Sequence, residues 1–389
     1  MKEELGIYLQ PIDDRVYHPH IYSDSSIGDF IRYHNPDLPS LEGVDLAIVG
    51  IKEGRNSDEN ESCSKGADEI RKALYPLFID HDDLQIVDLG DIHAGHSIED
   101  SLFAVEQVAY HLIKRSIVPI FIGGADYCGL GIYRAYCRLE RMTNIVSIDP
   151  IFDVNDNDGE VDVYNYLSRI ILHRPGFLFN FTNISYQTYL VNPKMKRVMK
   201  KMFFDIHRLG EVNQDIGDME PIIRQADMLT IDMRSVRASD SPGHRNPLPN
   251  GLYGEQLCQM MAQAGTNEKL TSISFFGYNP EFDIRAQSAQ LIAQSIWCFI
   301  EGYLNRHSED ADFNSDQFTR YRVSLKEDHE IVFYKSSLTD RWWLEVPLPI
   351  KQGNRYKRSQ IVPCSYKDYE IACDQEVPDR WWQTFQKLH

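Results

Sequence analysis

Short apolar runs alternate with longer stretches of helical periodicity from about residue 44 to residue 304. The runs Val44–Gly50, Gln85–Asp88, Ile117–Ile122, Ile145–Ile148, Phe177–Phe181, Met228–Asp232 and Leu270–Phe276 predict strands, and Lys201–Phe204 is ambiguous. Helical patterns fall between them at Ser101–Lys114, Leu130–Arg141, Gly254–Ala264 and Ile284–Tyr303. The strand runs are apolar without strict alternation, as expected where helices cover both faces of a parallel sheet. The alternating order predicts an α/β fold, a three-layer α-β-α sandwich around a mostly parallel, doubly wound sheet. In such sheets ligands bind outside the carboxyl ends of the strands.

The character changes near residue 306. Polar Arg306–Gln317 precedes strand-like Glu330–Tyr334 and Trp342–Val346, a basic turn Lys351–Arg358, another apolar run and two short helical patterns. The expected division is an N-terminal arm at 1–40, an α/β domain at 41–305 and a small C-terminal extension at 306–389. Asp-Arg-Trp-Trp occurs twice in the extension, at Asp340–Trp343 and Asp379–Trp382. Tryptophans carry much core burial, so the first expectation is packing of the extension onto the main domain. The alternative is an aromatic surface through which the extension meets a protein partner.

Composition narrows the function classes. A net charge of −18 repels nucleic acid and anionic membrane, so neither is an expected partner. The N-terminus has no cationic start or apolar core, and the longest apolar runs are strand-sized. The seven cysteines are scattered without a CxxC pair, which predicts reduced thiols in a cytoplasmic protein.

Candidate chemistry sits where the predicted strands end. Gly123-Gly124-Ala125-Asp126 follows one strand, Asp149-Pro150-Ile151-Phe152-Asp153 another, and Asp232-Met233-Arg234 a third. Three loops thus aim Asp126, Asp149, Asp153 and Asp232 at one region. Each carboxylate pair at about 4 Å costs about 4 kcal/mol at an effective dielectric near 20, so the group needs a cation, a proton or an arginine.

These segments, in this order, resemble the ureohydrolases: the arginase, agmatinase and formimidoylglutamase family. Further matches are Ser64–Arg71, with its glycine turn before an Ile-Arg helix, and Asp88-Leu89-Gly90-Asp91. The Ser241-Pro242-Gly243 loop through Leu252 and the Asn279-Pro280 passage to Asp283 complete the set. The resemblance implies an arginase-like fold. It also implies two manganese ions held by two histidines and four aspartates, which activate water for attack on a guanidinium or formimidoyl carbon. Carried over position by position, one ion's ligands fall on Asp126, Asp149, Asp153 and Asp232. All offer oxygen, which suits a hard cation such as Mn²⁺ or Mg²⁺. The other ion's ligands would include Ile151 and Arg234, which donate no electron pair. A glutamate that contacts substrate in the family falls on Gly277.

The expectation is therefore at most one Mn²⁺ or Mg²⁺, not a binuclear manganese pair. Arg234 is expected to replace the second metal by forking onto Asp232 and Asp149. His244 and Arg245 are weaker candidates for contacting an anionic substrate. His93 and His96 are read as solvated, Cys128 as a small buried residue, and Asp153–Glu160 as a solvated loop in spite of its calcium-loop flavour. The leading functional reading is a degenerate, catalytically inactive member acting as a binding, scaffolding or regulatory protein, with a small-molecule ligand in the old cleft. The alternative is a formimidoylglutamase- or arginase-like hydrolase of a linear amidine C–N bond with one oxygen-ligated metal. Family likeness further implies a homo-oligomer.

Overall fold

A computed structural model of the chain describes residues 5–16, 22–80, 84–155, 159–307, 313, 315–325, 329–348 and 359–388. The basic turn Lys351–Arg358 and the middle of Asp153–Glu160 lie outside them. The main sheet has nine strands: β1 Arg32–Tyr33, β2 Leu46–Lys52, β3 Ile86–His93, β4 Val118–Ile122, β5 Thr143–Ile148, β6 Leu178–Tyr186, β7 Asp205–Arg208, β8 Met228–Asp232 and β9 Ser272–Phe276. Their spatial order is β1-β3-β2-β4-β9-β8-β5-β6-β7, and every pair is parallel.

The apolar runs lack strict alternation because both faces of the sheet are buried. Along β2, Leu46 and Ile48 join one hydrophobic cluster while Ala47, Val49 and Ile51 join the other. The first cluster takes Ile70 from helix Gly66–Leu74, Leu257 from Gly254–Gly265 and Ile292 from Gln287–Leu304. The second takes Val105 from Ile98–Ile113, Tyr133 from Gly129–Arg138 and Ile170 from Tyr166–Leu172. This is the expected three-layer arrangement.

Several boundaries differ from the sequence expectation. β3 runs on past its expected end at Asp88, through Leu89, Gly90 and Asp91 to His93. Two buried acids can stay in a strand here because Arg71, itself fully buried, bonds both: Nε and Nη2 to Asp88 at 2.8 and 3.0 Å, Nη1 to Asp91 at 2.6 Å. The ambiguous Lys201–Phe204 segment is the end of helix Pro193–Lys201 and a turn into β7. In the segment before residue 40, β1 pairs with β3 at one edge of the sheet.

The C-terminal residues form a second, antiparallel sheet of β10 Phe318–Ser324, β11 Glu330–Ser336, β12 Trp342–Pro347 and β13 Ser359–Cys364, in that order. Helices Tyr366–Cys373 and Asp379–Leu388 follow. Trp342 and Trp343 are buried, and Arg224 of the main domain lies over the Trp343 ring at 4.4 Å. Trp381 is half-buried and its Nε1 donates to the Glu345 carbonyl at 3.0 Å, whereas Trp382 is exposed. Among the described residues no helix is long and apolar enough to cross a membrane, and all seven cysteines are free.

Candidate metal centre

β4, β9, β8 and β5 are consecutive in the sheet, so their carboxyl ends form one rim. Asp126 opens a 3₁₀ turn after β4, Asp149 and Asp153 follow β5, and Asp232 ends β8. All four are buried. Oxygens of Asp126, Asp149 and Asp153 lie within 4.8 Å of one another, and Asp232 lines the same cleft as Asp126. Asp153 has a left-handed backbone, φ 49°, and its Oδ1 has no hydrogen-bond partner. Asp149 Oδ1 accepts from the Ile151 amide at 2.8 Å.

Burial and mutual repulsion raise the carboxyl pKa values. Burial, then the Asp232 charge, holds Asp126 well above the usual range and Asp149 up to about 7. Burial, then Asp149 and Asp126, does the same to Asp153. Burial also works against the Arg234 charge, but the surrounding carboxylates, Asp232 foremost, outweigh it and raise its pKa.

Arg234 does not fork as the sequence suggests. Its Nε donates to Asp232 Oδ2 at 2.8 Å, and the next carboxylate, Asp126, stands 4.0 Å from Nη2. Asp149 is not among its bonded partners. The cause is local: the chain leaves the strand after Asp232 and enters a 3₁₀ turn, Met233–Ser235, which Asp232 caps by accepting from the Arg234 amide at 2.9 Å. Positions 232 and 234 therefore do not share a strand face, and the guanidinium approaches from the Asp126 side.

The two weaker candidates separate. His244 is buried and lines the cleft. Burial lowers its pKa to about 4, although Asp232 acts the other way. Its Nδ1 accepts from the Asn246 amide at 2.9 Å, so the neutral ring carries its proton on Nε2. Arg245 lies outside the cleft, paired with exposed Glu59 at 3.0 Å. Of the remaining candidates, His93 and His96 are exposed, and burial drives the Cys128 thiol pKa well up, leaving no thiolate.

Sequence reasoning missed the polar run 56–60. Asn60 is buried and bonds the Gly277 carbonyl at 2.8 Å, the Arg245 amide at 3.0 Å and the Asn279 side chain at 3.0 Å. Asp58 lines the cleft and accepts from the Tyr164 hydroxyl, while Asn56 Nδ2 reaches Glu160 and Val161 at 3.3 and 3.2 Å. Two loops thus close over the acids. The available signal was Asn-Ser-Asp-Glu-Asn itself, whose Asn56, Asp58 and Glu59 all adopt left-handed φ. Gly277, φ +77°, forms part of the cleft wall, and a Cβ there would stand 3.0 Å from Asp232 Oδ1. The space left for solvent is about 10 Å³, room for about one water molecule.

The sequence profile of the arginase family matches residues 44–301. The chain belongs to the arginase family. Formimidoylglutamase of Streptococcus gordonii is 22% identical over 333 residues, spanning 77% of this chain and 96% of that protein. Formimidoylglutamase of Staphylococcus epidermidis is 24% identical over 286 residues, spanning 71% and 89%. Among solved structures, Trypanosoma cruzi formiminoglutamase with Mn²⁺ superposes with a TM-score of 0.67 at 19% identity, covering 73% of this chain and all of that one. Formimidoylglutamase of Bacillus subtilis superposes with a TM-score of 0.65 at 17% identity, covering 72% and 93%. The fold is thus that of these ureohydrolases, and the family match spans the α/β domain without the extension. These likenesses favour the hydrolase alternative over the expectation of an inactive protein.

Proposed function

We propose that this family member hydrolyses a linear amidine C–N bond with one divalent cation, Mn²⁺ or Mg²⁺. Asp126, Asp149 and Asp153 would hold it, with Asp232 at their flank. The observation that carries this is the buried carboxylate triad with an unbonded Asp153 oxygen. An all-oxygen donor set fits a hard cation. When bound, such an ion supplies Lewis acidity, polarising the substrate and making water a better nucleophile near neutral pH. The chain's own residues set the rest of the environment. Arg234 keeps a fixed positive charge beside Asp232, 4.0 Å from Asp126. Neutral His244 presents an uncharged wall with one N–H donor, and the exposed Asp58–Tyr164 contact joins the two loops beside the cleft.

A specific pair of observations favours a second reading, a binding protein without catalysis. The Arg234–Asp232 ion pair fills part of the site, and the closed cleft holds only about one water. Metal content and turnover discriminate. The hydrolase reading expects one manganese ion per chain, lost in Asp149→Asn, together with ammonia, formamide or urea release from a panel of formimidoyl and guanidino compounds. Protein that binds no manganese and turns over none of the panel at millimolar substrate would eliminate it.

A further inference from the structure

The β7 edge of the main sheet carries a feature that the acidic site does not use. Helix Pro193–Lys201 places Lys194, Lys196, Arg197, Lys200 and Lys201 within eight residues, in a chain of net charge −18. No ion pair joins any of the five to another described residue. Lys194, Arg197, Lys200 and Lys201 are exposed, while Lys196 lies over the Tyr186 ring at 5.2 Å. The helix starts cleanly, with Asn192 capping the Lys194 amide at 2.9 Å and proline at its first turn. Met199 anchors it, and Val198, Met202 and Phe203 remain exposed. Lys200 and Lys201 suit the dipole at the helix C-terminus, and none of the five charges is neutralised by a carboxylate of the described residues.

This helix leads directly into β7, the terminal strand of the nine-stranded sheet. Among the described residues no strand pairs with its outer side. A cleft of about 1220 Å³ follows it: the consecutive residues Phe203, Phe204, Asp205, Ile206 and His207 all line that cleft. Its far wall is helix Asp379–Leu388, whose Lys387 bonds Asp205 and Asn180 at 2.8 and 3.0 Å. Phe179, 40% exposed, and Phe203, 45% exposed, offer aromatic surface at the same place. An open strand edge with a cationic flank and two aromatic rings matches how sheets capture extended peptides: main-chain bonds supply affinity and flanking groups supply specificity. Lys200 lines the cleft itself, and the exposed Lys194, Arg197 and Lys201 stand on the helix that leads into it, so the flank selects acidic side chains by charge complementarity. The cleft is a channel beside a four-residue strand, which suits a linear segment better than a folded surface.

We propose that β7 and helix Pro193–Lys201 form a docking site for an acidic, extended polypeptide segment of a partner protein, which adds a strand to the sheet. The site involves none of the carboxylates of the metal centre.

The test uses the full chain and a fluorescein-labelled peptide of about eight residues alternating glutamate and valine, followed by fluorescence anisotropy. Saturable binding is expected, weakening as salt rises. A fourfold variant, Lys194→Glu, Arg197→Glu, Lys200→Glu and Lys201→Glu, should bind about tenfold or more weakly. All four side chains are exposed, so its urea midpoint should match that of the parent. A probe N-methylated at alternate amides along one edge should likewise lose about tenfold, because it cannot complete the ladder. The proposal is overturned if a lysine–valine peptide binds equally well, or if the fourfold variant or the methylated probe binds unchanged. It is equally overturned if sedimentation shows the patch occupied by a second copy of this chain, or if only phosphatidylserine vesicles bind.

Discussion

Two arginines, Arg71 fully buried and Arg234 half-buried, sit among buried aspartates in this domain, and they resolve the same problem in opposite ways. Arg71 donates four hydrogen bonds, three to Asp88 and Asp91 and one to the Gly90 carbonyl at 2.9 Å. Lys52 adds a second cation 3.0 Å from Asp91, and the Tyr75 hydroxyl reaches Asp88 at 2.7 Å. Burial alone would raise the Asp91 pKa, but Arg71 and Lys52 lower it. Arg234 faces four carboxylates and bonds only Asp232 directly, so Asp126, Asp149 and Asp153 are pushed up instead. The aspartates of the two clusters are comparably buried. What differs is the ratio and geometry of cations to acids. The first cluster is a finished structural joint, and the second is short of positive charge.

The largest expected effect tests the finished joint. Arg71→Met should cost about 3–5 kcal/mol, because it strands Asp88 and Asp91 in the interior. Urea unfolding of parent and variant measures it directly. Arg234→Met should cost less, about 1–3 kcal/mol, since its partners are already prone to take up protons and line a cleft. Manganese should recover more stability in this variant than in the parent, as the added cation meets a larger charge deficit. Equal costs at the two arginines would break the comparison.

Acid titration separates the clusters by sign. The folded-state pKa of Asp91 is depressed, so its contribution is present at neutral pH and disappears as pH falls through that lowered value. Asp149 is raised from 3.8 to about 7. Its contribution is fully present below the ordinary carboxylate range and is lost as pH rises through about 7. Metal-free protein in EDTA should therefore lose stability between about pH 4 and pH 8, with a separate loss in strong acid. Manganese should flatten the upper limb. A urea midpoint independent of pH from 5 to 8 without metal would contradict the charge deficit.

The same contrast explains what the sequence could disclose. Seven of the nine main strands are legible because each contains a compact apolar run that the sheet buries. The reading weakens where polar residues sit inside a strand. β3 continues through Asp88 and Asp91 only because Arg71 meets them, and no local pattern announces a partner 17 residues away. β6 extends from Phe181 to Tyr186 through Thr182, Asn183 and Ser185, whose buried polarity looks like a loop. β10 was missed since Arg320 and Arg322 face solvent on a half-exposed sheet. At the site, the four aspartates are visible as strand-end residues, but their spacing is not. The direction of Arg234 depends on a 3₁₀ turn after Asp232, and the closing contact of Asp58 on Tyr164 joins loops 106 residues apart.

The smallest effect is the sharpest, because its sign is unusual. Asp153 is buried, has an unbonded Oδ1, and is held above the ordinary carboxylate range by burial and by Asp149 and Asp126. Asparagine keeps its shape and removes one negative charge, and its amide can donate to the neighbouring carboxylates. Asp153→Asn should therefore stabilise the metal-free protein at pH 7.5 by about 1 kcal/mol while weakening manganese binding. Asp88→Asn, the same exchange in the other cluster, removes a partner that Arg71 holds through two bonds and should destabilise. Opposite signs for one chemical substitution, read by urea midpoints in EDTA, would establish that the strand-end cluster sacrifices stability for a site. Matching losses would mean that its acids, too, are satisfied by the fold.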